Sequence, residues 1–106
     1  MQAVFRIDSL PAEAVEAAAL FYAEYVPMAR KQLADATDAL AIVLPGAPHD
    51  HTAWRRAAAQ DLARAAAPVR VNILSGGDDA AMEASLAWLA QAPGITGQLL
   101  PLVAAD

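Results

Sequence analysis

Two histidines flank an aspartate at His49-Asp50-His51, between an apolar segment and a helix-like one. Imidazole and carboxylate groups can ligate a metal, and histidine exchanges protons near neutral pH. In open α/β sheets, ligands bind beyond the carboxyl ends of the strands, where this loop is expected to lie. Two interpretations stay open. The loop is either a metal or acid–base site, or a solvated loop in which Asp50 caps the next helix.

A second polar turn, at residues 75–79, follows the next apolar segment. The backbone amides of Gly76 and Gly77 could approach an anion closely. Asp78 and Asp79 would repel that anion, and aspartates at this position more often cap a helix. The sequence therefore favours capping over anion binding at this turn.

Turn residues and hydrophobic periodicity divide the chain into alternating strands and helices. The predicted strands are residues 3–7, 39–44, 69–74 and 96–103, and the predicted helices are 11–35, 52–66 and 80–92. This order predicts one α/β domain with about four parallel strands and crossover helices. Pro27 predicts a kink or break in the first helix, and Pro101 places the last strand at a sheet edge.

Apolar residues at spacings of three and four predict the two long helices. In the first helix they are Val15, Ala19, Tyr22 and Val26, and in the second Trp54, Ala57, Ala58, Leu62 and Ala65 lie on one face. Arg55, Arg56, Gln60 and Arg64 are predicted to lie on the solvated face of the second helix. Trp54 and Trp88 are interpreted as packing residues.

Sequential parallel strands joined by right-handed crossovers would place every helix on one face of the sheet. The opposite face would then be bare, which parallel sheets rarely tolerate. Either a second chain or a helix that departs from the handedness rule must cover it. The conflict favours an oligomer.

Composition excludes several classes of protein. The chain has 106 residues, a net charge of −5 and no cysteine. These values exclude a disulfide scaffold and a cysteine-ligated zinc site, and they disfavour binding to nucleic acid or anionic membranes. The chain contains no signal peptide and no apolar run long enough to span a membrane, so a cytoplasmic protein is expected.

Arg70-Val71-Asn72, followed by Gly77, and Thr96-Gly97-Gln98 after a helix resemble two segments of the short-chain dehydrogenase/reductase family. Ala87-Trp88-Leu89-Ala90 also resembles that family's last helix. The resemblance covers roughly residues 11–103 and implies a small Rossmann-like domain of two or three layers. It extends only to the second half of the family fold, which implies a truncated and degenerate member.

The family's reactive residues are missing from the matching positions. Its serine is expected at Pro45-Gly46-Ala47, and its Tyr-x-x-x-Lys near residues 48–52. The glycine-rich turn that holds the dinucleotide pyrophosphate also has no counterpart in the printed sequence. The resemblance therefore implies a protein that is not an enzyme of this type and has no cofactor.

In this family the two long helices commonly pair with those of a second subunit. The resemblance thus predicts a homodimer, with an interface formed by Tyr22, Val26, Trp54, Ala57, Ala58, Leu62 and Ala65. Salt bridges from Arg55, Arg56 or Arg64 to Glu13, Glu16 or Glu24 could link the subunits. Two alternatives stay open: an accessory subunit of a full-length dehydrogenase, and a small ligand-binding or metal-binding protein or enzyme that uses the His49-Asp50-His51 loop.

Overall fold

In the computed structural model, which describes residues 1–35 and 38–102, four parallel strands form one sheet in the order β1-β2-β3-β4. The strands are β1 Gln2–Arg6, β2 Ala39–Leu44, β3 Arg70–Gly76 and β4 Leu99–Leu102. This Rossmann-like α/β arrangement confirms the predicted fold class. Every residue of β2 is buried, as expected for a central strand covered on both faces. The edge strand β4 contains Pro101, and the predicted strand end at Val103 lies outside the described residues.

The helices follow the predicted order, and the ends of the first and last predicted helices are shifted. They are α1 Ala14–Leu20, α2 Val26–Leu33, α3 Thr52–Ala66 and α4 Asp79–Ala90. A π-helical turn, Phe21–Tyr25, joins α1 to α2. A short 3-10 helix, His49–His51, lies in the segment predicted as a loop. Both ends of α3 were thus predicted correctly, but the 3-10 helix before it was not predicted.

The structure places the irregularity of the first helix just upstream of Pro27 rather than at it. The Val26 amide donates to the carbonyl of Phe21, five residues back, which is the π-helical pattern. Pro27 then lies in the first turn of α2, where it donates no amide hydrogen bond to the turn before it. The helical path continues through the proline without a break.

The apolar residues whose spacing predicts the first helix do not form one buried face. Val15 is 73% exposed, Tyr22 is 41% exposed, and Ala19 is also exposed. The buried residues there are Ala17 and Phe21, both 0% exposed. A π turn contains more residues than an α turn, so it rotates the helix phase before Val26 becomes buried. An apolar stripe is consequently left facing away from the sheet.

Two hydrophobic clusters cover the two faces of the sheet. The first lies between the sheet and the α1–α3 helices and contains Phe21, Val26, Leu40, Ile42, Ala58, Leu62 and Ile73 among its buried residues. The second lies between the sheet and α4 and contains Ala41, Val43, Leu74, Met82, Leu86 and Leu89. Trp88 of α4 is 55% exposed, so its predicted packing role is wrong.

The expected conflict over the second sheet face is resolved within the chain. Because the strands follow one another in one direction across the sheet, connections on opposite faces have opposite hands. The β3–α4–β4 connection therefore departs from the hand of the first two connections. Helix α4 covers β2 and β3 on the second face of the sheet. A second chain is therefore not needed to cover this face, and the bare face gives no support to an oligomer.

The two motif segments contact each other. The Asn72 Nδ2 donates to the carbonyl of Ile95 over 3.0 Å, and the Gln98 amide donates to the Asn72 Oδ1 over 3.0 Å. The Val71 amide donates to the Thr96 Oγ1, also over 3.0 Å. These bonds attach the segment before β4 to β3, which explains why residues 96–98 form a loop and not the predicted strand.

Candidate functional site

The carboxyl ends of β1, β2 and β3 meet at one edge of the sheet, and both predicted site loops lie there. In the loop after β2, His49 and Asp50 are exposed, whereas His51 is only 2% exposed. The structure therefore separates the three predicted ligands. Asp50 makes no side-chain cap for α3, so the predicted capping role is wrong. Within residues 1–35 and 38–102, no cluster of three histidine or acidic side chains could hold a metal ion.

Both ring nitrogens of His51 are used by hydrogen bonds inside the protein. Its Nε2 lies 2.9 Å from the carbonyl oxygen of Ala12, and the Trp54 Nε1 donates to its Nδ1 over 3.2 Å. Since Nδ1 accepts, the proton lies on Nε2, which donates to Ala12, and the ring is neutral. His51 thus anchors the 3-10 helix to the segment before α1.

The glycine pair after β3 allows a close approach of β4. Gly76 and Gly77 have φ of +72° and +74°, in the left-handed region that favours glycine. A Cβ on Gly77 would lie 2.8 Å from the Cβ of Leu102. Asp78 accepts a hydrogen bond from the Ala81 amide over 2.7 Å and caps α4, as the sequence favours. Chain packing therefore explains the glycines without an anion.

Arg55 is the main correction to the predicted face of α3. It was predicted to be solvated, but it is 3% exposed. Its Nη1 donates to the carbonyl of Pro45 over 2.8 Å, and its guanidinium lies 5.5 Å from the centre of the Trp54 ring. Burial lowers the pKa of Arg55 from its usual range, although a guanidinium stays charged in proteins.

The Nε and Nη2 atoms of Arg55 are buried without a hydrogen-bond partner among the described residues. Buried polar groups nearly always have partners, and an unpaired buried charge is costly. The sequence did contain a signal for this burial. Arg55 precedes Ala58, Ala59 and Leu62 by three, four and seven residues, which places it on their face of the helix.

A cavity of about 260 Å³ reaches Arg55 at this edge of the sheet. It lies between the segment before α1 and the loop after β2, and its lining contains no acidic residue. The lining residues are Leu10, Pro11, Ala12, Pro45, Gly46, Ala47, Pro48, His51 and Arg55. A shallower cavity of about 190 Å³ lies beside Gly76 and Gly77, but Asp78 and Asp79 line it. Arg6 also lines this second cavity, so only the first of the two has a positive charge with no acidic residue beside it.

The predicted dimer interface is divided by the structure. Val26, Ala58 and Leu62 belong to the hydrophobic core and cannot contact a second chain, and Trp54 is partly buried with its ring 5.3 Å from that of Phe21. The remaining predicted residues, Tyr22, Ala57 and Ala65, are exposed. The sequence pattern thus mixed inward-facing and outward-facing residues.

The exposed apolar residues of α1 and α3, together with Tyr22, form a surface on the side away from the sheet. We call it the outer helix face and define it as Val15, Ala19, Tyr22, Ala53 and Ala57, all exposed. Tyr22, in the π-helical turn, lies close enough to Asp61 of α3 to interact with its carboxylate. Partial burial, and then the charge and hydrogen bond of Asp61, raise the pKa of Tyr22 above its ordinary value.

A family model described as "Short chain dehydrogenase-like protein" matches residues 5–102. The match includes the end of β1, the other three strands and the helices between them, and it confirms the resemblance drawn from the sequence motifs. No curated protein and no solved structure matches the chain. Within the part of the chain that the structure describes, no helix is both long enough and apolar enough to cross a bilayer.

Proposed function

The chain belongs to the short chain dehydrogenase-like family, and we propose that it is a non-catalytic member that forms a homodimer through the outer helix face. The observation that carries this proposal is the position of Val15. A single valine that is 73% exposed is ordinary, but Val15 is followed at intervals of four and three residues by exposed Ala19 of α1 and Tyr22 of the π-helical turn. Ala53 and Ala57 of α3 are small enough to let another helix approach closely.

Charge complementarity favours a second copy as the occupant of this face. Glu16 lies beside Val15 on α1, and Arg56 lies beside Ala57 on α3, and both are exposed. Within residues 1–35 and 38–102, neither of them takes part in an ion pair. In a two-fold dimer that packs α1 against the partner's α3, each Glu16 would face the partner's Arg56.

The residues near the strand ends support a non-catalytic role. Pro45, Gly46 and Ala47 follow β2, where the family resemblance implies a serine. No tyrosine follows Tyr25, and Lys31 of α2 is the only lysine in the printed sequence. Catalysis by a tyrosine general acid requires the tyrosine and a lysine at the matching positions, and residues 48–52 contain neither.

Sedimentation equilibrium of Val15→Glu beside the parent chain tests the interface. Burying the exposed part of a valine contributes about 1.5 kcal/mol per copy, so losing two copies costs about 3 kcal/mol. The dimer dissociation constant should therefore rise roughly 100-fold or more. The parent chain should sediment at twice its 11.0 kDa mass.

Trp88→Glu is the matched control, since Trp88 is also apolar and exposed but lies on α4, on the other side of the sheet. It should leave the dissociation constant unchanged. Equal effects of the two variants would locate the interface elsewhere. A parent chain that sediments only as a monomer, yet co-purifies with a larger dehydrogenase, would replace the homodimer with the accessory-subunit role.

A further inference from the structure

We propose that the cavity at Arg55 binds a small organic carboxylate with a short apolar tail. The proposal starts from the guanidinium, which carries a full positive charge in an almost completely buried position. Its Nη1 is already committed to the carbonyl of Pro45. The two nitrogens left without acceptors, Nε and Nη2, lie on one edge of the planar group.

That edge matches a carboxylate. Two parallel N–H groups in one plane can donate to the two oxygens of a carboxylate, and such bidentate pairs are among the strongest hydrogen bonds in proteins. Arg55 lines the cavity, but both nitrogens are covered by protein atoms, so the covering groups must move aside for the carboxylate to reach them. The ligand would thereby neutralise a charge that otherwise lacks a counterion.

The other lining residues of the cavity determine which hydrocarbon tail the ligand can have. Leu10, Pro11 and Pro48 provide apolar walls, and no lining residue carries a negative charge. His51 lines the cavity as a neutral ring, so Arg55 is its one charged group among the described residues. A volume of about 260 Å³ is smaller than most drug-sized sites, so an acid of a few carbons fits best.

Trp54 offers a direct optical signal for binding. Its ring lies 5.5 Å from the Arg55 guanidinium, and its Nε1 is bonded to His51. The chain contains two tryptophans, so a Trp88→Phe background leaves Trp54 as the sole reporter. Sodium butyrate added to this variant should change its fluorescence saturably. Butyramide, which has a similar shape without the charge, should produce no change at the same concentrations.

Arg55→Met in the same background should weaken butyrate binding at least tenfold, and Arg55→Lys should do the same because lysine lacks the two-nitrogen edge. Arg56→Met is the matched control, since Arg56 is adjacent in sequence but exposed. It should bind butyrate like the parent. Equal binding by the Arg55 and Arg56 variants, or by butyramide, would overturn the proposal.

Two further measurements cover the remaining outcomes. In the unaltered chain, butyrate should shift one arginine Nε–H signal in a ¹⁵N-resolved NMR spectrum, which tests the site even if the Arg55 variants do not fold. A titration that shifts no such signal would overturn the proposal. Inorganic phosphate should bind more weakly than butyrate, and binding of phosphate alone would assign the cavity to a different class of anion.

Discussion

Asn72 provides a test of how the segment before β4 is held in place. The residue is 3% exposed, and its amide bonds both the Ile95 carbonyl and the Gln98 amide over 3.0 Å. Asn72→Leu has the same number of side-chain heavy atoms but can make neither bond. Each backbone group left without its partner costs about 1–3 kcal/mol, and packing of the added apolar surface offsets part of that loss.

We expect a net loss of about 2–3 kcal/mol in the free energy of unfolding. For a domain of this size, that loss lowers Tm by roughly 10–15 °C. Urea unfolding followed by circular dichroism measures the change directly, at one protein concentration because dimerisation would contribute to stability.

Gln98→Ala is the control for this test. The Gln98 side chain is exposed and donates only to the Thr96 carbonyl, over 3.3 Å, whereas its backbone amide keeps the bond to Asn72. Its loss should therefore stay within about 0.5 kcal/mol of the parent. If Asn72→Leu unfolds at the same urea concentration as Gln98→Ala, the two bonds contribute nothing and the reasoning is refuted.

Two other substitutions test specific features of the fold. Gly77→Ala should lower the free energy of unfolding by about 2 kcal/mol or more, because φ is +74° and a Cβ would lie 2.8 Å from Leu102. Gly94→Ala, which meets nothing within 4 Å, should have little effect in the same urea assay, and equal losses would contradict this explanation. Tyr22 has a raised pKa, so it stabilises the fold below its unfolded pKa of about 10 and loses that contribution as pH rises further. The stability difference between the parent and Tyr22→Phe should therefore shrink above about pH 10 in urea titrations, and a constant difference would contradict the shift.

Local sequence signals were sufficient for the order of elements and for the central strand. The continuous apolar run of β2 and the amphipathic pattern of α3 each depend on neighbours within the same segment. The apolar pattern of each segment therefore matches the burial of its residues in the fold. The motifs around Asn72 and Thr96 also marked the correct segments, because these two residues bond the same part of the sheet.

Long-range packing set the features that the sequence did not reveal. Nothing within the first helix indicates that a π turn precedes Pro27, so the apolar spacing alone does not show that Ala17 and Phe21 are the buried residues. The position of α4 depends on the hand of a connection, which a local pattern does not encode. The burial of Arg55 was not predicted because arginine is rarely buried without a partner. Its charge suggested a solvated position, although its spacing places it on the buried face of α3.

The mass of the purified parent chain in solution, measured by light scattering after size-exclusion chromatography, tests the proposed dimer most directly. Self-association through the outer helix face predicts twice the 11.0 kDa chain mass, with dissociation only on dilution. A constant mass of 11.0 kDa at every protein concentration would contradict it.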